Sequence, residues 1–345
     1  MVNKIKHLLG LALFHSGLLF LLDFIFDKKN SGQIICYHSV SSNGYYHKKE
    51  SPDEYLKANF ERQIKFLNKQ FKIASLKITT EELRNNKPLK PRTLGIIFDD
   101  GYRDNLTLAF PLLKKLNIPA TFFITTGFID NKLIPEFDKI AFIVRNTKKQ
   151  KLRIEALGTS YLLETDQEKQ AAILDIDTKT KELEAKKRSE IINSMSLTLE
   201  VLPEKEINDN LCMRREQIVK LNNDLTQIGS HGHTHKKLTK MPLQQAREEI
   251  TISKIKLEEI IKEPIILFSY PFGEYNKDIQ NILIETGYVC GIGKDKGRNF
   301  GKNDLLQLRR FFIDSDTTIY DLYCLLSKTI QSLEGFLSSL ERKIF

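Results

Sequence analysis

The stretch "TLGIIFDDG", residues 93–101, decides the fold of this 345-residue chain. Residues 93–98 form a short and largely apolar run, which predicts a buried strand, and two aspartates and a glycine follow where that strand ends. Next come "LTLAFPLLKKLN" (106–117), with apolar residues at helical spacing, and "PATFFITTGF" (119–128), a second strand behind a turn proline. This order predicts parallel strands covered by helices.

The same alternation of strands and helices extends over most of the chain. Further strands are predicted at "QIICYHSV" (33–40), "TQIGSH" (226–231), "IILFSYPFG" (265–273), "YVCGIG" (288–293) and "LLQLRRFFI" (305–313). We therefore expect one α/β domain over residues 31–345, built as a barrel or as an open sheet. Residues 129–210 interrupt the alternation with charged, helix-prone sequence, which predicts a helical insertion in that domain.

The N-terminal segment has a different character. Residues 8–26, "LLGLALFHSGLLFLLDFIF", form an apolar run of nearly membrane-spanning length that His15 and Asp23 interrupt. No small-residue cleavage site follows the run, so a secretory signal peptide is not indicated. We expect residues 1–30 to form an apolar helix that anchors the protein in a membrane or lies in the membrane plane. A helix packed on the domain, in a cytoplasmic protein, is the alternative.

Composition narrows the range of partners. The net charge of +9 comes from lysines spread along the chain, which suits solubility, an anionic membrane surface or an anionic substrate. No motif beyond charge supports nucleic-acid binding, and we expect none. The cysteines stand far apart without a CxxC pair, which predicts free buried thiols rather than a zinc ribbon or a disulfide framework. They are Cys36, Cys212, Cys290 and Cys324.

A metal site is predicted where the strands end, since polar groups at the carboxyl ends of parallel strands gather at one face. In "HGHTH" (231–235), His231 and His235 are four residues apart, which allows both rings to reach one ion. Asp100 is the natural third ligand, because a carboxylate with two imidazoles forms the open site that hydrolytic metals use. His233 is expected to point elsewhere. A surface run of histidines is the alternative interpretation.

The remaining polar groups at the strand ends suggest acid and base roles. Asp99 is left to act as general base, and a helix N-cap is its alternative role. A basic residue is needed to keep Asp99 ionised, and by strand alternation one of Arg309 and Arg310 points inward. His38, at the end of the first strand, is a candidate to donate a proton to a leaving group, or to serve a structural role.

Four segments together resemble the polysaccharide deacetylases, the family 4 carbohydrate esterases, over roughly residues 33–315. They are "IIFDDGYRDN" (96–105), "ATFFITTGF" (120–128), "IGSHGHTH" (228–235) and "FSYPFGEYN" (268–276). The resemblance implies a distorted (β/α) barrel and a divalent metal, with zinc as the expected ion. It assigns the metal to Asp100, His231 and His235, the base to Asp99, and the oxyanion and substrate contacts to Tyr270, Pro271 and the backbone N–H of Phe272.

The chain also departs from the family pattern. The arginine that usually precedes the proline-aromatic pair is missing from "LFSYP", so Arg310 is assigned to Asp99 by its likeness to a late-strand arginine of other members. The chain has no Trp, so the Asp-Trp wall of the substrate groove is absent. No late Leu-x-His motif is visible. The early Tyr37 and His38 resemble the subgroup that deacetylates biofilm polysaccharides, which makes His38 the candidate general acid.

The expected function is metal-dependent removal of N-acetyl groups from the amino sugars of a cell-envelope or exported glycan. The expected substrate is an N-acetylated glycan or a lipid-linked sugar. Two alternatives remain open at this point: hydrolysis of O-acetyl esters on a polysaccharide, and a non-catalytic glycan-binding protein.

Overall fold

A parallel sheet surrounded by helices forms the body of the protein. The structure, a computed structural model, describes residues 11, 14–26, 31–41, 53–203, 207, 211–299 and 305–330. The strands of the main sheet are β1 (Gly32–Tyr37), β2 (Lys72–Ile73), β3 (Thr93–Phe98), β4 (Ala120–Ile124), β7 (Thr226–Ser230), β8 (Leu267–Ser269), β9 (Cys290–Ile292) and β10 (Phe311–Phe312). A separate hairpin consists of β5 (Lys151–Ile154) and β6 (Thr159–Leu162).

The sheet has the order β10-β1-β3-β4-β7-β8-β9, with β2 paired to β3, and every pairing in it is parallel. A parallel bridge between Ile292 and Leu308 links β9 to the segment that leads into β10. All residues of β1, β3 and β4 are buried, as is usual for parallel strands with both faces covered. The predicted distorted (β/α) barrel is confirmed.

Eleven helices in the described residues cover the sheet and build the insertion. They are α1 (Leu18–Phe26), α2 (Asp53–Gln70), α3 (Leu76–Arg84), α4 (Phe110–Leu116), α5 (Glu136–Asn146), α6 (Asp166–Thr180), α7 (Ala185–Leu199), α8 (Arg215–Leu221), α9 (Leu243–Ile261), α10 (Lys277–Glu285) and α11 (Ile319–Leu326). Helix α2 buries Leu56, Phe60 and Ile64 at helical spacing. Phe60 packs there against Tyr37 of β1 and Phe98 of β3.

Two sequence-based expectations about secondary structure were wrong. The insertion, predicted to be helical over 129–210, contains the hairpin β5–β6 as well as helices α5, α6 and α7. Its strands are four residues long, and charged residues stand at the exposed positions of "KLRI", so the alternation was concealed. The strand predicted over 305–313 is regular only at Phe311–Phe312. Cys36 and Cys290 are buried free thiols, as predicted.

Helix α1 packs on the closing helix α11. The rings of Phe20 and Tyr323 lie 4.5 Å apart. Asp23 is buried and accepts hydrogen bonds from the Tyr323 hydroxyl at 2.5 Å and from the backbone N–H of Thr329 at 2.9 Å. Among the described helices, none has both the length and the apolar character to cross a bilayer. Residues 8–10, 12 and 13, in the first part of the predicted apolar helix, lie outside the described residues.

Candidate active site

The carboxyl ends of the strands bring the predicted polar residues together. Asp99 and Asp100 follow β3, His231 follows β7, and Arg310 immediately precedes β10. All four are buried, and His235 is partly buried. Strands β4 and β7 pair side by side up to their ends, where Ile124 lies opposite Ser230. The loop after β7 therefore lies beside the loops that follow β3 and β4.

Asp100, His231 and His235 form a compact set of possible metal ligands. Asp100 Oδ1 lies 3.5 Å from His231 Nε2 and 3.3 Å from His235 Nε2. The three ligand atoms all lie within 4.8 Å of one another. His231 Nδ1 donates a hydrogen bond to the carbonyl oxygen of Ser269 at 2.7 Å, which selects the tautomer whose Nε2 lone pair faces Asp100.

Unsatisfied atoms at this set suit a cation. The Oδ1 atoms of Asp99 and Asp100 are buried and have no hydrogen-bond partner in the described part of the chain. Burial and the negative charges of Asp99 and Asp138 raise the pKa of Asp100 well above its usual value. Burial lowers the pKa of His235 well below its usual value, so this imidazole is neutral and able to act as a ligand. A divalent cation would offset the cost of burying the two carboxyl groups.

The carboxylate of Asp99, unlike that of Asp100, accepts hydrogen bonds from Arg310 and Ser269. Its Oδ2 accepts a hydrogen bond from Arg310 Nη1 and a 3.1 Å bond from the Ser269 hydroxyl. Burial acts to raise the pKa of Asp99, but Arg310, His231 and His38 together outweigh it and hold this pKa well below the usual value. Of the two candidate arginines, Arg310 is buried and Arg309 is exposed. Asp99 is therefore an ionised carboxylate with one oxygen held and the other available.

His38 lies beside Asp99. Its ring stacks on Phe312 at 5.7 Å, and a ring nitrogen comes within 4.8 Å of an Asp99 carboxylate oxygen and of Cys36 Sγ. Burial lowers the pKa of His38 to about 4. Cys36, His38 and Asp99 could in principle form a second cation site. However, Arg310 Nη1 contacts both Cys36 Sγ and Asp99, and its positive charge disfavours a cation there.

The "YPFG" segment contributes one wall of the site. The Phe272 ring lies 4.8 Å from the His235 ring, and Pro271 lies close to Gly232 in the histidine loop. The side chain of Tyr270 is engaged in packing instead, because its ring stacks on Tyr275 and its hydroxyl donates to the Leu306 carbonyl oxygen at 2.9 Å. Any role of Tyr270 in substrate binding would therefore fall to its backbone.

Backbone strain is concentrated at the same place. Asp100, His235 and Phe272 adopt the left-handed region, with φ of 73°, 55° and 57°. Residues other than glycine occupy this region at a cost of about 1–3 kcal/mol each. Surrounding packing holds them there, which is common where side chains must be aimed at one point.

Three residues that position the site had no clear sequence signal. The carbonyl oxygen of Ser269 orients His231, and its hydroxyl bridges Arg310 and Asp99. Its position at the end of a strand, two residues before Pro271, was the only available hint. Asp104 Oδ2 accepts four hydrogen bonds from the segment after His38. The donors are the hydroxyls of Ser39 and Ser41 and the backbone N–H groups of Val40 and Ser41.

The third positioning residue, Glu249 on α9, holds the histidine loop. It accepts hydrogen bonds from the backbone N–H groups of His233 and Thr234 at 3.2 and 2.7 Å. His233 Nδ1 lies 2.9 Å from the Thr126 hydroxyl, and its Nε2 lies 3.5 Å from Lys256 Nζ. His233 thus faces away from the ligand set, in the manner expected of a spacer.

The insertion reaches the site as well. A cavity of about 300 Å³ lies beside His235, and residues from both the barrel loops and the insertion line it. Phe272 and Lys236 come from the barrel side, whereas Glu136 and Arg188 come from α5 and α7 of the insertion. The insertion is therefore a wall of the candidate active site.

A sequence profile described as polysaccharide deacetylase matches residues 86–192 and 203–291, which together make up more than half of the chain. The chain belongs to the polysaccharide deacetylase family. A relative in this family is YxkH of Bacillus subtilis, named as a polysaccharide deacetylase, which is 22% identical over 265 residues. The match covers 76% of this chain and 64% of YxkH, so the chain spans less than two thirds of that relative.

Solved structures share the fold of this family member. The deacetylase PplD of Streptococcus pyogenes, solved in complex with acetate, matches with a TM-score of 0.56 and 17% identity over 86% of this chain and 98% of PplD. IcaB of Ammonifex degensii matches with a TM-score of 0.52 and 16% identity over 83% of this chain and 93% of IcaB. At 17% and 16% identity, the likeness to these two structures establishes the fold of this chain.

Proposed function

We propose that the protein is a metal-dependent hydrolase that removes N-acetyl groups from the amino sugars of a cell-envelope or exported glycan. The observation that carries the proposal is the buried pair Asp99 and Asp100, in which each residue has an unsatisfied oxygen. His231 Nε2 lies 3.5 Å from Asp100 Oδ1 and 3.6 Å from Asp99 Oδ2. His235 lies beside Asp100, and Arg310 lies beside Asp99. Asp100, His231 and His235 would hold the ion, for which zinc is expected. When bound, a divalent cation polarises the acetyl oxygen and makes water a better nucleophile.

The residues of the chain supply the proton transfers. Asp99 accepts a proton from water as the water oxygen attacks the acetyl carbon, and Arg310 keeps this carboxylate oriented. The backbone N–H of Phe272 donates to the oxygen on which negative charge develops. The proton that Asp99 accepted passes through His38 to the amine nitrogen as the carbon–nitrogen bond breaks, which yields acetate and a free amino sugar. The neighbouring Asp99 favours the protonated form of His38, against the effect of burial.

The test combines metal content with acetate release. Wild-type protein loaded with zinc is expected to hold one ion and to release acetate from N-acetylated oligosaccharides. His235→Ala should lose the ion and lower acetate release by on the order of 10³-fold, since metal catalysis supplies several kcal/mol. His233→Ala is the matched control and should retain both, because His233 faces Thr126 and Lys256.

Two outcomes would contradict the proposal. Release of acetate only from an O-acetylated xylan would identify an esterase with the same ligand set. Failure of the zinc-replete wild type to bind metal would favour a glycan-binding protein without turnover.

We also propose that helix α1 places the protein at a membrane surface, with α1 lying in the plane. Its buried side carries Leu19 and Asp23, while Leu18, Leu21 and Ile25 on the other side are 43%, 55% and 44% exposed. This apolar stripe supports contact with lipid, and the proximity would suit an envelope glycan or a lipid-linked sugar. Flotation with anionic vesicles tests the idea, and Leu21→Lys should weaken the association. Full-length protein that stays out of the vesicle fraction would refute it.

A further inference from the structure

The groove between the insertion and the histidine loop is lined by several cationic side chains. It adjoins the cavity beside His235 and shares Glu136, Arg188, His235, Lys236 and Phe272 with it. Its lining includes five cationic side chains and one carboxylate, that of Glu136. The cations are Lys181, Arg188, Lys236, Lys237 and Lys240.

Two of these cations are already neutralised by the protein. Arg188 is buried and lies 2.7 Å from Asp177 Oδ1 and 3.1 Å from Glu136 Oε2. Lys237 is buried and lies 2.6 Å from Glu182 Oε1 and 3.2 Å from Glu274 Oε1. Both also lie over the ring of Phe272. The ion pairs of Arg188 and Lys237 therefore stabilise the wall of the groove.

Among the described residues, the other lysines that line the groove form no ion pair with a carboxylate. Lys181, at the end of α6, and Lys236, next to the ligand His235, are half-buried and form no ion pair in the described part of the chain. Lys240 is exposed at the rim. A partly desolvated ammonium attracts an anion more strongly than one in bulk water, and pairing offsets the cost of its desolvation.

We propose that this groove is an anion subsite, and that the glycan acted on carries a carboxylate or phosphate group close to the N-acetylated sugar. Lys181 from the insertion and Lys236 from the barrel would bind that group from opposite sides of the groove. Because Lys236 directly follows His235 and both line the same cavity, an anion bound there lies beside the reacting group. This inference rests on the proposed deacetylase function and adds the charge of its substrate.

Calorimetric titration of the zinc-loaded protein tests the subsite without requiring turnover. The probes are chitotetraose, which is neutral, a tetrasaccharide of alternating uronic acid and N-acetylglucosamine, and an N-acetylated oligosaccharide with a phosphodiester. We expect one or both charged probes to bind about tenfold more tightly than chitotetraose, which is a difference of about 1.4 kcal/mol. The preference should shrink as salt is added. The two charged probes distinguish a carboxylate from a phosphate as the group recognised.

Variants assign the effect to the groove. The double variant Lys181→Gln with Lys236→Gln should bind the preferred charged probe about tenfold more weakly, whereas the corresponding double arginine variant should retain the affinity. Lys187→Gln is the matched control, because Lys187 is exposed on α7 and does not line the groove.

Equal affinities for all three probes, or a charged-probe affinity that the double glutamine variant leaves unchanged, would overturn the subsite. Tight binding of a charged probe together with absence of acetate release from every substrate would instead refute the deacetylase function and leave the subsite standing.

Discussion

Two arginine-aspartate pairs are buried in the described part of this protein, one at the barrel centre and one in the insertion. The side chains of Asp99 and Arg310 are 1% and 2% exposed, and those of Asp177 and Arg188 are 9% and 5% exposed. In the insertion pair, Asp177 Oδ1 lies 2.7 Å from Arg188, and Glu136 Oε2 adds a second negative charge 3.1 Å from the same guanidinium. At the barrel centre, one oxygen of Asp99 and one of the adjacent Asp100 have none within the described residues. The buried ion pair in the insertion therefore stabilises the fold, whereas the pair at the barrel centre leaves carboxylate oxygens available to bind a cation.

The largest effect is expected from Asp99→Asn, which tests whether the barrel pair serves chemistry. Loss of a general base lowers kcat by about 10²–10⁴-fold. Bound metal should stay near one equivalent, because His235 Nε2 contacts Asp100 rather than Asp99. Acetate release and elemental analysis of the same samples check both parts. Loss of the metal together with activity would identify Asp99 as a ligand and break the proposed division between the two carboxylates.

A smaller effect, on stability rather than on chemistry, is expected from Asp177→Asn. Breaking a buried pair leaves Arg188 with less compensation and should lower the free energy of unfolding by about 3 kcal/mol. Denaturant unfolding measures the loss. Asp175→Asn on the same helix is the control, because Asp175 pairs with Lys179 at the surface and contributes about 1 kcal/mol or less. Equal losses from the two variants would show that the insertion pair is not a structural element.

The smallest expected effect is the pH dependence of stability that arises from His38 at the barrel centre. The pKa of His38 is about 4 in the folded protein and about 6.5 in the unfolded chain. Between these values the unfolded state binds more protons, so stability is fully present above about pH 6.5 and is lost as pH falls. Lowering the pH from 7 to 5 should therefore cost the metal-free protein about 1–2 kcal/mol through this residue.

Unfolding curves of wild type and His38→Gln at the two pH values isolate that contribution. The variant should show the shallower pH dependence. Parallel slopes for wild type and His38→Gln would mean that His38 is not held neutral by burial.

Local sequence patterns were enough to predict the strand ends and the residues that the structure brings together as possible metal ligands. Apolar runs such as residues 93–98 mark buried strands, and the polar groups that follow them must meet at one face of a parallel sheet. Strand alternation also predicted that one of Arg309 and Arg310 points inward, and the buried residue is Arg310. The hairpin over 151–162 was missed because two four-residue strands carry too little pattern to stand out from charged sequence.

The sequence by itself therefore determined the (β/α) architecture, the family and the residues that can hold a metal, because each of these depends on short-range spacing and on strand order. Only the tertiary structure decided that Ser269 bridges Asp99 and Arg310, that Glu249 holds the histidine loop, and that the insertion forms a wall of the groove beside His235. Asp99 and Arg310 are 211 residues apart in the chain. Contacts over such separations are set by how complete elements pack, and no local periodicity encodes them.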